Sequence, residues 1–333
     1  MARYLFALWL VLFAAACGGE PGGVRVAHPQ IAAWTPADDV AAPSGRPRAP
    51  RRVELRFELG GRPFPLPLVH GTVGGQATWM LVDTGANSHV IAGWLARKVG
   101  LQMKRLGDVG TDHVGRLIPT YRVEHPGVII DGWGPVGEGP MLVTDVPEAI
   151  ARLGIGAFIS PQSLGEGSAV VLDFPAHEMR LAAYAEADIA LAGDGRGRAL
   201  SPSGGVACVD SESPIQGLAY VIPATIEGQN VTLLIDSGAQ RTDLLVGSRA
   251  GRSLYPRSEP SRDQMFAASG RIRTRTLKGA HVSVGDWALR ADVDLMPGSA
   301  DPFCPRDGVV SMDVLASCVL VLGPGRMTGR CGR

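Results

Sequence analysis

The sequence predicts an all-β protein with few short helices, arranged as two related β-barrel-like lobes in one chain with a cleft between them. Three observations carry that expectation. First, the stretch Met80-Leu81-Val82-Asp83-Thr84-Gly85-Ala86 is written again as Leu233-Leu234-Ile235-Asp236-Ser237-Gly238-Ala239. Each is an apolar run into Asp, a hydroxyl residue, Gly and Ala, and the two Asp residues stand 153 positions apart. Second, other landmarks keep nearly the same offset. Val114-Gly115-Arg116-Leu117 matches Ser269-Gly270-Arg271-Ile272, Asp131-Gly132-Trp133 matches Gly285-Asp286-Trp287, and Phe158-Ile159-Ser160 matches Val309-Val310-Ser311. A repeat of this length is the size of a compact lobe. Third, the segments between these landmarks are short apolar or alternating runs broken by Gly and Pro, as strands and turns are.

Taken in order, residues 1–17 read as an export signal. Arg3 supplies the positive start, and the apolar run from Leu5 to Ala16 is too short for a stable membrane span. Ala14-Ala15-Ala16-Cys17 resembles a bacterial lipoprotein processing site, which implies lipidation of Cys17. It also implies a place in the cell envelope, at the outer membrane or its periplasmic face. An ordinary secretory signal cut near the alanines is the alternative, and either reading exports the protein. Residues 18–52 are rich in Gly, Pro, Ala and Arg with no sustained period, and should form a flexible tether.

Residues 53–185 form the first lobe in this reading. Val53 to Leu59 alternates apolar and charged residues, and Ala77 to Val82 is a buried strand running into Asp83. Residues 90–100 carry helical spacing at Ile91, Trp94, Leu95 and Val99, closed by Gly100. Strands are expected at Val128-Ile129-Ile130 and Met141-Leu142-Val143, and Ala169 to Phe174 should close the lobe. Residues 186–205, polar and glycine-rich, read as a linker. Residues 206–333 then retell the first lobe.

The chemistry explains why these residue types recur. Two carboxylates in contact cannot both ionise cheaply, so one pKa rises and the pair shares a proton. One member then takes a proton from water while the other donates to a carbonyl oxygen. A Gly after the hydroxyl residue permits a sharp turn and a close neighbour. Thr84 and Ser237 offer hydroxyls that can lock the two turns together. Asp83 and Asp236 are therefore the candidate catalytic pair, with Thr84, Gly85, Ser237 and Gly238 as supporting turn residues.

On these motifs and their order, residues 51–333 resemble a bacterial pepsin-like or retropepsin-like aspartic protease with both lobes in one polypeptide. The resemblance implies a bilobal pepsin-like acid protease fold, a peptide or protein substrate, no cofactor and no metal. In that family a hydrophobic-hydrophobic-Gly element packs behind each catalytic turn. Here it reads Phe158-Ile159-Ser160 and Val309-Val310-Ser311, with Ser160 and Ser311 in the Gly positions. His89 stands where the family often has Thr, which Thr242 supplies in the second half. It either substitutes as a local hydrogen-bonding group or tunes Asp83. Flap hairpins fall by position near residues 110–121 and 268–275; Tyr121 is either a flap residue or part of a plain surface hairpin.

Apart from Cys17, the cysteines Cys208, Cys304, Cys318 and Cys331 form an even set in an exported protein, so disulfides are expected. Of three possible pairings the favoured one joins Cys304 to Cys318 and Cys208 to Cys331. The seven histidines are scattered without ligand spacing, which argues against a metal site. Lys and Arg number 32, as do Asp and Glu, so no basic field exists for nucleic acid. Arg271, Arg273 and Arg275 alternate on one strand face, a solvated stripe or a contact for acidic residues. The expected function is aspartic endopeptidase, for which one chain suffices. A non-catalytic bilobal binding protein of the envelope is the alternative, and a dedicated processing protease a third reading. Geometry separates the first two: carboxyls within hydrogen-bonding reach favour the enzyme, and a side chain between them favours the scaffold.

Overall fold

The computed structural model describes residues 51–332 except 113–115, 138, 166, 201–204, 211–216, 262–264, 268–269, 299–303 and 324, with backbone only at 7–8, 13–14, 108–109, 111, 206–210 and 266–267. Cys17 and the tether up to residue 50 lie outside the described residues. The fold is mostly strand with a few short helices, in two related halves, as expected.

The repeat is visible first in the hairpins that deliver each Asp. Arg62–Val73 pairs with Gln76–Val82, turning at Gly74-Gly75 with φ of 55° and 80°. Gly217–Ile226 pairs with Gln229–Ile235, turning at Glu227-Gly228 with φ of 51° and 75°. Both turns need left-handed backbone at two successive residues, which Gly adopts without penalty. The delivering strands share one burial sequence: alternating at the start, then wholly buried over the last three residues. Those last residues, Met80-Leu81-Val82 and Leu233-Leu234-Ile235, have strands on both sides and core on both faces. That explains why they are apolar without interruption.

Each delivering strand runs parallel to the element behind it. Phe158 and Ile159 pair with Leu81 and Val82, and Val309 and Val310 pair with Leu234 and Ile235. A short strand then wedges against that element in each half, Val90–Ala92 in the first and Asp243–Leu245 in the second. Residues 90–92 were expected to begin a helix. They form a strand because Val90 and Ile91 fill a fully enclosed slot between two strands, which suits β-branched side chains. The helix is confined to Gly93–Lys98.

Two further departures concern how the halves join. Ala169–Asp173 does not close the first half; it pairs with Cys318–Gly323 from the chain end. Glu178–Ala182 and Arg52–Glu54 follow it into the same 14-stranded sheet, which therefore mixes both halves. Val170, Leu172, Leu320 and Leu322 face the main core, while Ala169, Val171, Val319 and Val321 face outward. The outward face needs a cover, and helix Tyr184–Gly193 supplies it through Ala187 and Leu191. The stretch expected as a linker from residue 186 is thus helical over its first part.

The disulfide expectation is corrected as well. Cys318 is bonded to Cys331, not to Cys304. The two cysteines are direct partners in the antiparallel pairing of Cys318–Gly323 with Arg326–Cys331, so the strand register brings them together. Cys304 is also disulfide-bonded, and the side chain of Cys208 lies outside the described ones. The sequence separation of the observed pair is 13. Closing a loop of that size removes unfolded-state freedom, on the order of 3 kcal/mol. Replacing both Cys318 and Cys331 with Ala should lower unfolding stability by about that amount, measured by urea titration without reductant so that the bond at Cys304 stays intact.

Candidate active site

Each Asp lies one residue past a fully buried strand end, held by a backbone bond to the element behind it. The Asp83 amide donates to the Ile159 carbonyl at 2.8 Å, and the Asp236 amide donates to the Val310 carbonyl at 3.0 Å. The turn that follows each Asp folds back onto its carboxylate. Oδ1 of Asp83 accepts from the Gly85 and Ala86 amides at 2.9 and 3.0 Å; Oδ1 of Asp236 accepts from Gly238 at 2.9 Å.

The hydroxyl residues tie the two turns to each other. The Thr84 amide donates to Ser237 Oγ at 3.0 Å, and the Ser237 amide donates to Thr84 Oγ1 at 2.9 Å. Each hydroxyl then donates onward to the opposite strand: Thr84 to the Ile235 carbonyl at 2.9 Å and Ser237 to the Val82 carbonyl at 2.7 Å. Thr84 and Ser237 are fully buried, so every one of these groups depends on its partner across the interface. The glycines are explained by contact rather than by φ. A Cβ on Gly85 would sit 2.6 Å from Cγ of Asp236, and one on Gly238 would sit 2.4 Å from Cγ of Asp83. Each glycine is the floor on which the opposite carboxyl rests.

The two carboxyls interact, and the consequences are unequal. Burial pushes Asp83 up from its ordinary 3.8 to about 7, against opposing hydrogen bonds from Ala86, Asp236 and Gly85. Burial also raises Asp236 well above the usual range, and the Asp83 charge and the nearby Asp243 raise it further. The interaction between the pair lowers Asp83 and raises Asp236. Of the two, Asp236 is pushed further toward the protonated form. Oδ2 of each carboxyl is buried and takes no hydrogen bond from the protein.

The aspartyl protease family model matches residues 69–155 and 222–314, one span in each half, each containing its Asp, and together more than half of the chain. The chain belongs to the aspartyl protease family. The crystal structure of aspartic proteinase from Irpex lacteus is similar over 85% of this chain and 97% of that one, at 12% identity and a TM-score of 0.46. No curated protein matches.

In this member of the family the elements behind the two turns occupy matching places. Ser160 and Ser311 are fully buried behind the turns. Their amides donate to matching side chains: Ser160 to His89 Nδ1 at 3.1 Å, Ser311 to Thr242 Oγ1 at 3.2 Å. His89 thus replaces a threonine hydroxyl as a hydrogen-bond acceptor. Hairpins stand at both flap positions, Lys104–Thr111 with Leu117–Val123 and Met265–Ala267 with Gly270–Ile272, though residues 113–115 and 268–269 lie outside the described residues. Tyr121 sits mid-strand, half-buried against the core, and not at a hairpin tip. Arg271 and Arg273 are exposed, while Arg275 bonds Ser258 and lies over the Tyr255 ring at 4.8 Å. Among the described residues no group of three or more His, Cys, Asp or Glu could hold a metal.

Two site residues escaped the sequence reading. Gln162 donates from Nε2 to the carbonyls of Thr84, Ala86 and Leu218 at 3.1, 2.8 and 2.8 Å, bracing the first turn and joining it to the second half. Asp313, at the matching position of the repeat, accepts from the Thr242 amide and hydroxyl. The signal was a polar residue at the same place in two otherwise apolar elements.

The raised pKa of Asp83 has a stability consequence. Between 3.8 and about 7 the folded chain binds more protons than the unfolded chain, so this contribution is full in acid and is lost as pH rises toward 7. Asp83→Asn removes that titration. Its melting temperature relative to the unmodified protein should therefore climb from pH 4 to pH 7.5, by roughly 5 °C or more at the upper end. A difference that stays flat across that range in calorimetry contradicts the raised pKa.

Proposed function

We propose that this aspartyl protease is an active endopeptidase in which Asp83 and Asp236 activate water for attack on a peptide carbonyl, without a cofactor and without a covalent intermediate. The observation that carries this reading is the contact of two buried carboxyls across the interface between the halves, with one unpartnered oxygen on each. A non-catalytic scaffold would place a side chain between them; here each carboxyl packs on the glycine of the opposite turn instead.

The chemistry follows from the proton's place. Asp83, stabilised by two amide donors, takes a proton from the attacking water as oxygen bonds to carbon. Asp236 gives its proton to the carbonyl oxygen, so the tetrahedral intermediate forms without net charge, as in aspartic proteases generally. Asp83 then returns a proton to the leaving nitrogen as the C–N bond breaks, and Asp236 recovers one from the collapsing hydroxyl. Both carboxyls come from one chain, so a monomer is sufficient. An extended peptide would lie along the interface and use the two hairpins for backbone hydrogen bonds.

Asp83→Asn and Asp236→Asn should each reduce kcat/KM on peptides by about a thousandfold or more, from the usual worth of general acid and base groups. Peptide-library cleavage by the purified variants, followed by mass spectrometry, decides it; full activity in either variant removes the dyad mechanism. Cleavage confined to a co-purifying envelope protein would mark a dedicated processing enzyme instead.

The reading extends to location. The apolar N-terminal run and Cys17 support export and lipid anchoring, with residues 18–50 as a tether holding the folded body off the membrane. Cys17→Ser should move the protein from the membrane fraction to the soluble envelope fraction; unchanged membrane retention would count against the anchor.

A further inference from the structure

The two catalytic turns are supported by equivalent bonds made with different chemistry. Behind Asp236, the Ser311 amide donates to a threonine hydroxyl, which accepts at any pH. Behind Asp83, the Ser160 amide donates to Nδ1 of His89. A backbone N–H can only donate, so that nitrogen must carry its lone pair and the ring proton must sit on Nε2. The bond is one peptide from the catalytic strand, because the preceding carbonyl, that of Ile159, accepts the Asp83 amide.

Protonated imidazole has no acceptor. With both ring nitrogens carrying hydrogen, the Nδ1 proton would face the buried Ser160 N–H, the bond would be lost, and the support behind Asp83 would loosen. We propose that His89 is a positioning residue for Asp83, acting only while Nδ1 is unprotonated, and that its protonation releases the first catalytic turn. Mechanistically this rests on the peptidase reading, but the latch itself does not.

The surroundings favour the neutral ring. His89 lines a small cavity with Ser88, Trp133, Met141 and Ser163, and Arg51 is the charged side chain on that cavity among the described residues. The elements packed around the ring, Met141–Thr144, Ile155–Ile159 and Pro161–Ser163, bring Ser160, Gln162 and Ser163 but no ionisable group. The nearest carboxyl along the chain is Asp83, itself raised. Burial lowers His89 from 6.5 to about 4. Between those values the unfolded chain binds the extra proton, so this contribution to stability falls as pH drops from 6.5 toward 4.

The test compares the full chain with His89→Thr, which restores the second lobe's chemistry, and His89→Leu, which has no acceptor. At pH 7, His89→Thr should keep kcat within about threefold, while His89→Leu should lose about tenfold to a hundredfold in kcat with KM little changed, as expected for a misplaced reacting group. Nitrogen NMR of labelled histidine should show His89 as the Nε2–H tautomer, staying neutral until well below pH 5. As pH falls from 6.5 to 4, the melting temperature of His89→Thr should rise relative to the unmodified chain. Equal kcat for Thr and Leu, an Nδ1–H tautomer, or titration of His89 near 6.5 would overturn the proposal. If the unmodified chain cleaves no peptide, the peptidase reading fails, while tautomer and stability still decide the latch.

Discussion

The reciprocal bonding of Thr84 and Ser237 is the interaction on which the site depends. Each hydroxyl accepts the other's amide and donates to the carbonyl at the end of the opposite strand. A hydroxyl is the side-chain group that can do both on so short a stem. Because each sits one residue after its Asp, this bonding fixes the separation of the carboxyls. The glycines complete the constraint, since neither carboxyl could approach the other if a Cβ stood beneath it. Strand, hydroxyl and glycine form one device, which is why they recur together in the sequence.

That device holds two acids where the fold alone would not keep them. Burial opposes ionisation at both, and Asp83 and Asp243 add charge against Asp236. The molecule relieves this by sharing a proton, and the sharing is biased. Two amides converge on Asp83 and one on Asp236, so the negative charge rests better on Asp83. In the proposed mechanism the acid and base roles arise from one amide donor and the charge of Asp243 within a nearly symmetric pair. The same burial that raises both carboxyls weakens the fold toward neutral pH, and the interlocked turns offset it.

Legibility followed from repetition and locality. Asp83, Asp236 and their turn residues were readable because a local motif appeared twice, and Ser160, Ser311, His89 and Thr242 because their offsets matched. What was not readable depended on pairing between distant strands. The Cys318–Cys331 bond is a consequence of register in a terminal hairpin, and spacing along the chain did not distinguish it from Cys304–Cys318. The crossing of Ala169–Asp173 into the other half's sheet leaves no local mark either, since an apolar run reads the same whichever strand it meets. Helix Tyr184–Gly193 was hidden because it covers a face that exists only after that crossing.

The repeat also shows where symmetry had to be abandoned. Gln162 and Asp313 occupy matching places, yet each meets groups of opposite polarity. Gln162 faces three carbonyl oxygens, so the position needs a donor; a carboxylate there would be repelled by all three. Asp313 faces the amide and hydroxyl of Thr242, so that position needs an acceptor. The choice between His89 and Thr242 is freer, because both face a single amide and only an acceptor is required. Where the surroundings dictate polarity, the halves diverged in charge type. Where they dictate only an acceptor, the first half took one whose lone pair can be lost to a proton. A duplicated frame with differently protonating supports makes the two turns respond differently to acid, although they deliver the same residue.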